Sequence, residues 1–225
     1  PGTLTEDQLL SARRHNYLAA LGRAGGELAL AWTDISDGAF HVTALDAGAM
    51  AHTLARIDPA ELLVPDVLAD DEQIAQLVRE FGPRATVLAA IKFDSAGGER
   101  ALKAQFKVAA LDAFGNFSRA EISAAGAVLG YLELTQKGRL PALLPPRQQI
   151  QGHVIAIDAA TRRNLELVET LSGEASGSLL STIDRTVTSA GGRELADRIL
   201  APLTEVEAID ARQIDANGNE LNVAG

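Results

Sequence analysis

The stretch Thr33-Asp34-Ile35-Ser36-Asp37-Gly38-Ala39-Phe40 sets two carboxylates three residues apart. Clustered carboxylates can hold divalent metal ions that activate water and steady a leaving oxygen, the chemistry of a metal-dependent nuclease. That chemistry calls for a further acid in the middle of the first strand, and Tyr17-Leu18-Ala19-Ala20-Leu21 contains none. Asp34 and Asp37 are therefore read as turn residues, because Asp readily bonds its own nearby backbone. His15, His41, His52 and His153 are never four apart on a helix, and cysteine is absent, so no metal ligand set is spelled out. Gly97-Gly98 and Gly191-Gly192 each open a helix, where free amides attract anions. Neither belongs to a GxxxxGK[ST] phosphate loop, and the sequence holds no such loop. No catalytic, cofactor-binding or metal-ligating residue is expected from spacing.

The elements that position these residues come from a chain of 225 residues, 47% hydrophobic, which is enough for one large domain or two small ones. No apolar run reaches the roughly 18 residues of a membrane span. The N-terminus, Pro1-Gly2-Thr3-Leu4-Thr5-Glu6-Asp7, has neither the basic nor the apolar region of a signal peptide, so a cytoplasmic location is expected. A start on Pro1-Gly2 is expected of a cut chain. The net charge of −10 disfavours strong DNA binding by the chain itself. Acids crowd between Asp46 and Glu80, whereas Lys137, Arg139, Arg147, Arg162 and Arg163 make a mildly basic stretch; both are read as solvated faces.

A short polar helix is predicted over about Thr5 to Arg14, then strands at 17–21, 28–35 and 39–45. Gly22 to Gly26 reads as a turn, and Asp37-Gly38 as a type I′ hairpin turn with positive φ at both positions. The second strand is apolar on both faces, as a strand covered on each side must be. The period then changes. Met50, Leu54 and Ile57 share a helical face, Leu62-Leu63-Val64 is a buried strand, and Ile74, Leu77, Val78 and Phe81 mark another helix. A strand at 86–91 follows, then a helix carrying Leu102 and Phe106 and another carrying Ala125, Val128, Leu129 and Leu132. Three antiparallel strands followed by alternating helix and strand are the order of an α/β ribonuclease H-like domain.

The proline-rich Pro141-Ala142-Leu143-Leu144-Pro145-Pro146 is the expected boundary, since proline stops helices and holds the chain extended. Domains are thus expected at 1–146 and 147–213, the second α-helical, with an atypical tail at 214–225 that has the look of an artificial junction. Asp158 is predicted to N-cap a helix whose packed face carries Thr161, Asn164, Leu165, Val168 and Leu171. Arg162 and Arg163 are expected to pair with Glu166. Asn164, on that face, would cost about 1–3 kcal/mol if left unbonded, so a buried partner that docks the helix is expected. A loop at 172–177 and a last helix from about Gly191 to Leu200, stopped before Pro202, complete the reading.

Several segments carry a resemblance. Asn16-Tyr17-Leu18-Ala19-Ala20, Asp34-Ile35-Ser36 with Gly38 and Phe40, and Pro59-Ala60-Glu61-Leu62-Leu63 resemble the connector domain of the MutS family of DNA mismatch-repair proteins. Residues 157–166 and 177–212 resemble the first helices of that family's core. The resemblance implies a catalytically silent connector that couples mismatch recognition to an ATPase and docks a MutL-like partner. It implies ATP, magnesium, mismatched DNA and a homodimer for the full-length family, with the remaining MutS domains as partners. No Phe-x-Glu wedge is present, so mismatch reading is not carried over. Arg100, Lys103, Gln105 and Lys107 form the expected docking face, against the plainer reading of an ordinary solvated helix. A nuclease of the same fold and an unrelated helical adaptor are the alternatives.

Overall fold

A computed structural model describes residues 15–46, 48–136, 142–149 and 154–212. The helix expected at 5–14, the residues around Gly138, His153 and the tail at 214–225 lie outside these. The chain forms two compact units that divide between residues 150 and 151.

The first unit opens with three antiparallel strands: β1 (Tyr17–Ala24), β2 (Glu27–Asp34) and β3 (Phe40–Leu45). Helix α1 (Met50–Ile57), β4 (Glu61–Pro65), α2 (Asp66–Ala69), α3 (Glu72–Phe81), β5 (Ala85–Leu88), α4 (Ser95–Phe106), α5 (Arg119–Thr135) and β6 (Arg147–Gln148) follow. The sheet order is β5-β4-β1-β2-β3-β6; β4 runs parallel to β1, β5 to β4 and β6 to β3. Side chains alternate across the sheet, as the two-residue period of a strand requires. Leu18, Ala20, Ala31, Val42 and Leu63 meet α4 and α5 through Leu102, Ala124, Val128 and Leu132. Tyr17, Ala19, Leu21, Leu30, Trp32 and Leu62 meet α1 and α3 through Met50, Leu54, Ile57, Ile74 and Leu77 on the other face. The doubly apolar β2 is explained by these two layers.

Two turns differ from expectation. β1 continues through Gly22 to Ala24, and only Gly25-Gly26 connect it to β2, both with positive φ. This is the two-residue connection whose twist suits a hairpin. At the next turn only Gly38 has positive φ, and the ladder closes at Thr33↔Phe40. The Gly38 amide donates to the Asp34 carbonyl and the Asp34 amide to the Ala39 carbonyl, so a wider loop replaces the expected type I′ turn.

The first compact unit runs past Pro146 to residue 150. Arg147–Gln148 completes the sheet beside β3, the Gln149 amide donates to the Val42 carbonyl, and Gln148 Nε2 donates to the buried Glu121 carboxylate. Glu121 also closes a capping box with Ser118 at the start of α5. Extended proline-rich chain can donate edge hydrogen bonds between its prolines, and here it does so to the first unit.

The second unit contains α6 (Ala159–Asn164), α7 (Leu179–Ile183), α8 (Ser189–Leu200) and α9 (Val206–Arg212). Among the described residues no helix is long and apolar enough to cross a membrane.

Candidate functional site

The carboxylate of Asp34 is the most enclosed acidic group near the β2–β3 turn, with 1% of its surface exposed. Oδ2 accepts from the Asn16 amide at 3.1 Å and lies 2.8 Å from His15 Nδ1. Oδ1 accepts from the Ser36 amide at 2.8 Å. Burial opposes ionisation, but the bonds from His15, Ser36 and Asn16 outweigh it and hold the carboxyl at about 2. Asp37 stands at the edge of the same group, its Oδ2 3.9 Å from His15 Nδ1, while its Oδ1 accepts from the Ala39 amide. The His15 ring stacks on Tyr17 at 4.5 Å. Each carboxylate oxygen of Asp34 already serves a backbone amide, the turn and strand-end role expected from sequence. The His15 contact was not legible there.

A second enclosed carboxylate was missed. Glu61, 3% exposed at the start of β4, accepts from Tyr131 Oη on α5 at 2.6 Å and from Thr86 Oγ1 on β5 at 3.0 Å. Burial, the hydrogen bond to Glu61 and its negative charge push the Tyr131 phenol up to about 12. A charged residue opening an otherwise apolar strand was the available signal. The trio ties two strands to the long helix, both hydroxyls donating to the same carboxylate oxygen, Oε1.

The expected docking face divides on α4. Arg100 and Lys107 are exposed, and Lys103 is partly covered and paired with Glu99 at 2.6 Å. At about 100° per residue, Arg100 and Lys103 share a side, while Gln105 sits about 140° from Arg100, toward the flank of buried Leu102. Lys107 follows the helix in the left-handed region at φ 55. Arg100 and Lys103 thus share a side of α4, Gln105 is set apart from them, and Lys107 lies just past the helix end. The two Gly-Gly openings are taken by their caps: Asp94 Oδ2 accepts from the Gly97 amide and Thr188 Oγ1 from the Gly191 amide.

In the second unit Asp158 caps α6 as expected, Oδ1 accepting from the Thr161 amide at 2.9 Å and Oδ2 from its hydroxyl at 2.7 Å. The Asn164 expectation fails. α6 ends there after six residues, Glu166 turns the chain at φ 47, and Asn164 is exposed, as is Leu165. Glu166 Oε1 accepts from the Leu171 amide at 2.6 Å instead of extending the helix. The enclosed residue is Arg162, 9% exposed, which donates through Nη1 to the Leu200 carbonyl at 3.0 Å. Its charge therefore sits at the C-terminal end of α8, where helix carbonyls attract cations. Val154 bridges Leu203, and the Ile155 amide donates to the Pro202 carbonyl, so residues 154–162 are fastened along the same helix end.

Comparison with known proteins accounts for both units. A family model described as MutS domain II matches residues 16–144, and one described as MutS domain III matches residues 160–215. The DNA mismatch repair protein MutS of Azorhizobium caulinodans is 51% identical over 224 residues, covering 97% of this chain and 24% of that protein. Its namesakes in a Ruegeria species and in Roseobacter denitrificans are 50% and 48% identical, each over 94% of this chain and 24% of their own lengths. The chain spans about a quarter of the length of these curated relatives. It belongs to the MutS family of DNA mismatch-repair proteins, of which it carries domains II and III.

Proposed function

We propose that this chain is the connector and the beginning of the helical core of a mismatch-repair protein, coupling mismatch recognition to nucleotide hydrolysis and docking a MutL-like partner. The observation that carries the reading is the succession of the two family domains in one chain. The sheet order supports a ribonuclease H-like first unit: three antiparallel strands flanked beside β1 by the parallel β4 and β5. β1 presents Leu18 and Ala20 to one layer and Ala19 and Leu21 to the other, in keeping with a silent member of that fold. ATP, magnesium, mismatched DNA and dimer formation belong, in this reading, to the full-length protein in the cytoplasm.

The docking face is the cationic ridge of Arg100 and Lys103 on α4, with Lys107 just past its end. On a chain of net charge −10 it offers a local site for an acidic surface. Arg100→Glu with Lys103→Glu in the full-length protein should weaken capture of the MutL-like partner about tenfold or more, mainly through slower association. Unchanged capture removes this ridge. DNA cleavage by the chain in magnesium or manganese would replace the whole reading with the nuclease one.

A further inference from the structure

The β1–β2 ladder ends at the pair Tyr17↔Asp34, so His15 and Asn16 lie beyond its last rung. At that point the Asp34 side chain takes over from the backbone. Oδ2 meets both residues of the incoming chain, the Asn16 amide and the His15 ring, while Oδ1 holds the Ser36 amide of the β2–β3 turn. One enclosed carboxylate thus bridges the entry of the polypeptide and the adjoining turn. We propose that Asp34 is the anchor of a latch that fixes the direction from which the preceding chain reaches the sheet. This does not depend on the docking face on α4.

The arrangement has a mechanical logic. Both arms of the entry segment meet one oxygen of Asp34. The grip reaches no further than the turn, because the other oxygen serves Ser36. Around the imidazole stand two carboxylates from the end of β2 and its turn, Asp34 and Asp37, and the Tyr17 ring from β1. The His15–Asp34 hydrogen bond, at 2.8 Å, joins the imidazole to one of them. A cation would have to break the His15–Asp34 contact to enter.

Amide hydrogen exchange on the intact 225-residue chain tests the latch. Asp34→Asn presents an NH2 group where Oδ2 accepts, while its remaining oxygen can still serve Ser36. Exchange of the Asn16 amide should accelerate about tenfold, with the chemical shifts of the Leu30 and Ala31 amides of β2 unchanged. His15→Ala, which lies outside the ladder, should accelerate Asn16 by a smaller factor, about threefold, with the sheet again unaffected. Asp37→Asn should leave Asn16 as it was. An unchanged Asn16 amide in Asp34→Asn would overturn the proposal. Displaced chemical shifts at Leu30 and Ala31 would do so too, by making Asp34 a support of the whole sheet. A zinc chloride titration that raises the melting temperature of the wild type, and not of His15→Ala, would reassign the three side chains to a metal.

Discussion

Gly98 on α4 and Gly126 on α5 meet backbone to backbone: a Cβ on Gly98 would lie 3.2 Å from the Gly126 Cα and 2.7 Å from the Ile122 carbonyl oxygen. A Cβ on Gly126 would collide with the Gly98 Cα. The contact sets how closely the helix bearing the cationic ridge lies against the helix that covers the sheet.

Enlarging this crossing must push the helices apart. Gly126→Val should cost about 1–3 kcal/mol, the range of overpacked cores, read as a lower midpoint in urea. Gly130 lies one turn further along the same helix, exposed, with open space where a Cβ would stand. Gly130→Ala should instead stabilise by about 0.5–1 kcal/mol. If both variants moved the midpoint in the same direction, helix propensity rather than crossing distance would be governing.

Asp34 makes stability depend on acid. Its folded carboxyl at about 2 lies below the ordinary 3.8 because the bonds from His15, Ser36 and Asn16 more than offset burial. A depressed folded value means the stabilisation is present in full above about pH 4 and is lost as pH falls toward 2, an effect of about 2 kcal/mol. Urea midpoints measured between those limits should fall more steeply for the wild type than for Asp34→Asn.

Tyr131 gives the opposite dependence at the alkaline end. Its phenol, pushed up to about 12 by burial and by the hydrogen bond and charge of Glu61, stays protonated where a free tyrosine ionises. A raised folded value contributes stability that is complete below about pH 10 and is lost as pH rises through 12. Absorbance at the tyrosinate band should show a late phase that Tyr131→Phe removes. The same substitution deprives buried Glu61 of a donor and should cost about 1–3 kcal/mol at neutral pH.

Arg162 closes the entry into the second unit on the end of α8. Arg162→Met keeps much of the side-chain volume and deletes the donor to Leu200. Stability of this unit should fall by about 1.5–3 kcal/mol, the range for hydrogen bonds from charged groups. Amides at 154–165 and 196–203 should gain exchange together; faster exchange in only one of the two segments would show that Arg162 does not join them.

The first unit was largely legible because short apolar runs bounded by turn residues mark β1 and β2, and the three-to-four spacing of Met50, Leu54 and Ile57 marks α1. Gly22 misled because a glycine can mark a turn or a close approach, and here α5 passes directly over it. The edge strand β6 was hidden in a proline-rich stretch, since two residues of pairing carry no period. In the second unit, Leu165, Val168 and Leu171 carried helical spacing that Glu166 interrupts, while α7 and α9 were too short to show any. The sites divide in the same way. Local roles such as the Asp158 cap were readable, but the partners of Asp34, Glu61 and Arg162 lie 19, 70 and 38 residues away and nothing local announces them.

The pairing of Arg147–Gln148 with β3 bears on how the first unit can be excised. A piece ending at the prolines would strip the outermost strand and bare the backbone of residues 41–43, the kind of open border along which sheets stick to one another. It would also free Glu121 from Gln148 at the head of the longest helix. A cut placed beyond Gln149 keeps the border sealed and should give the more soluble fragment.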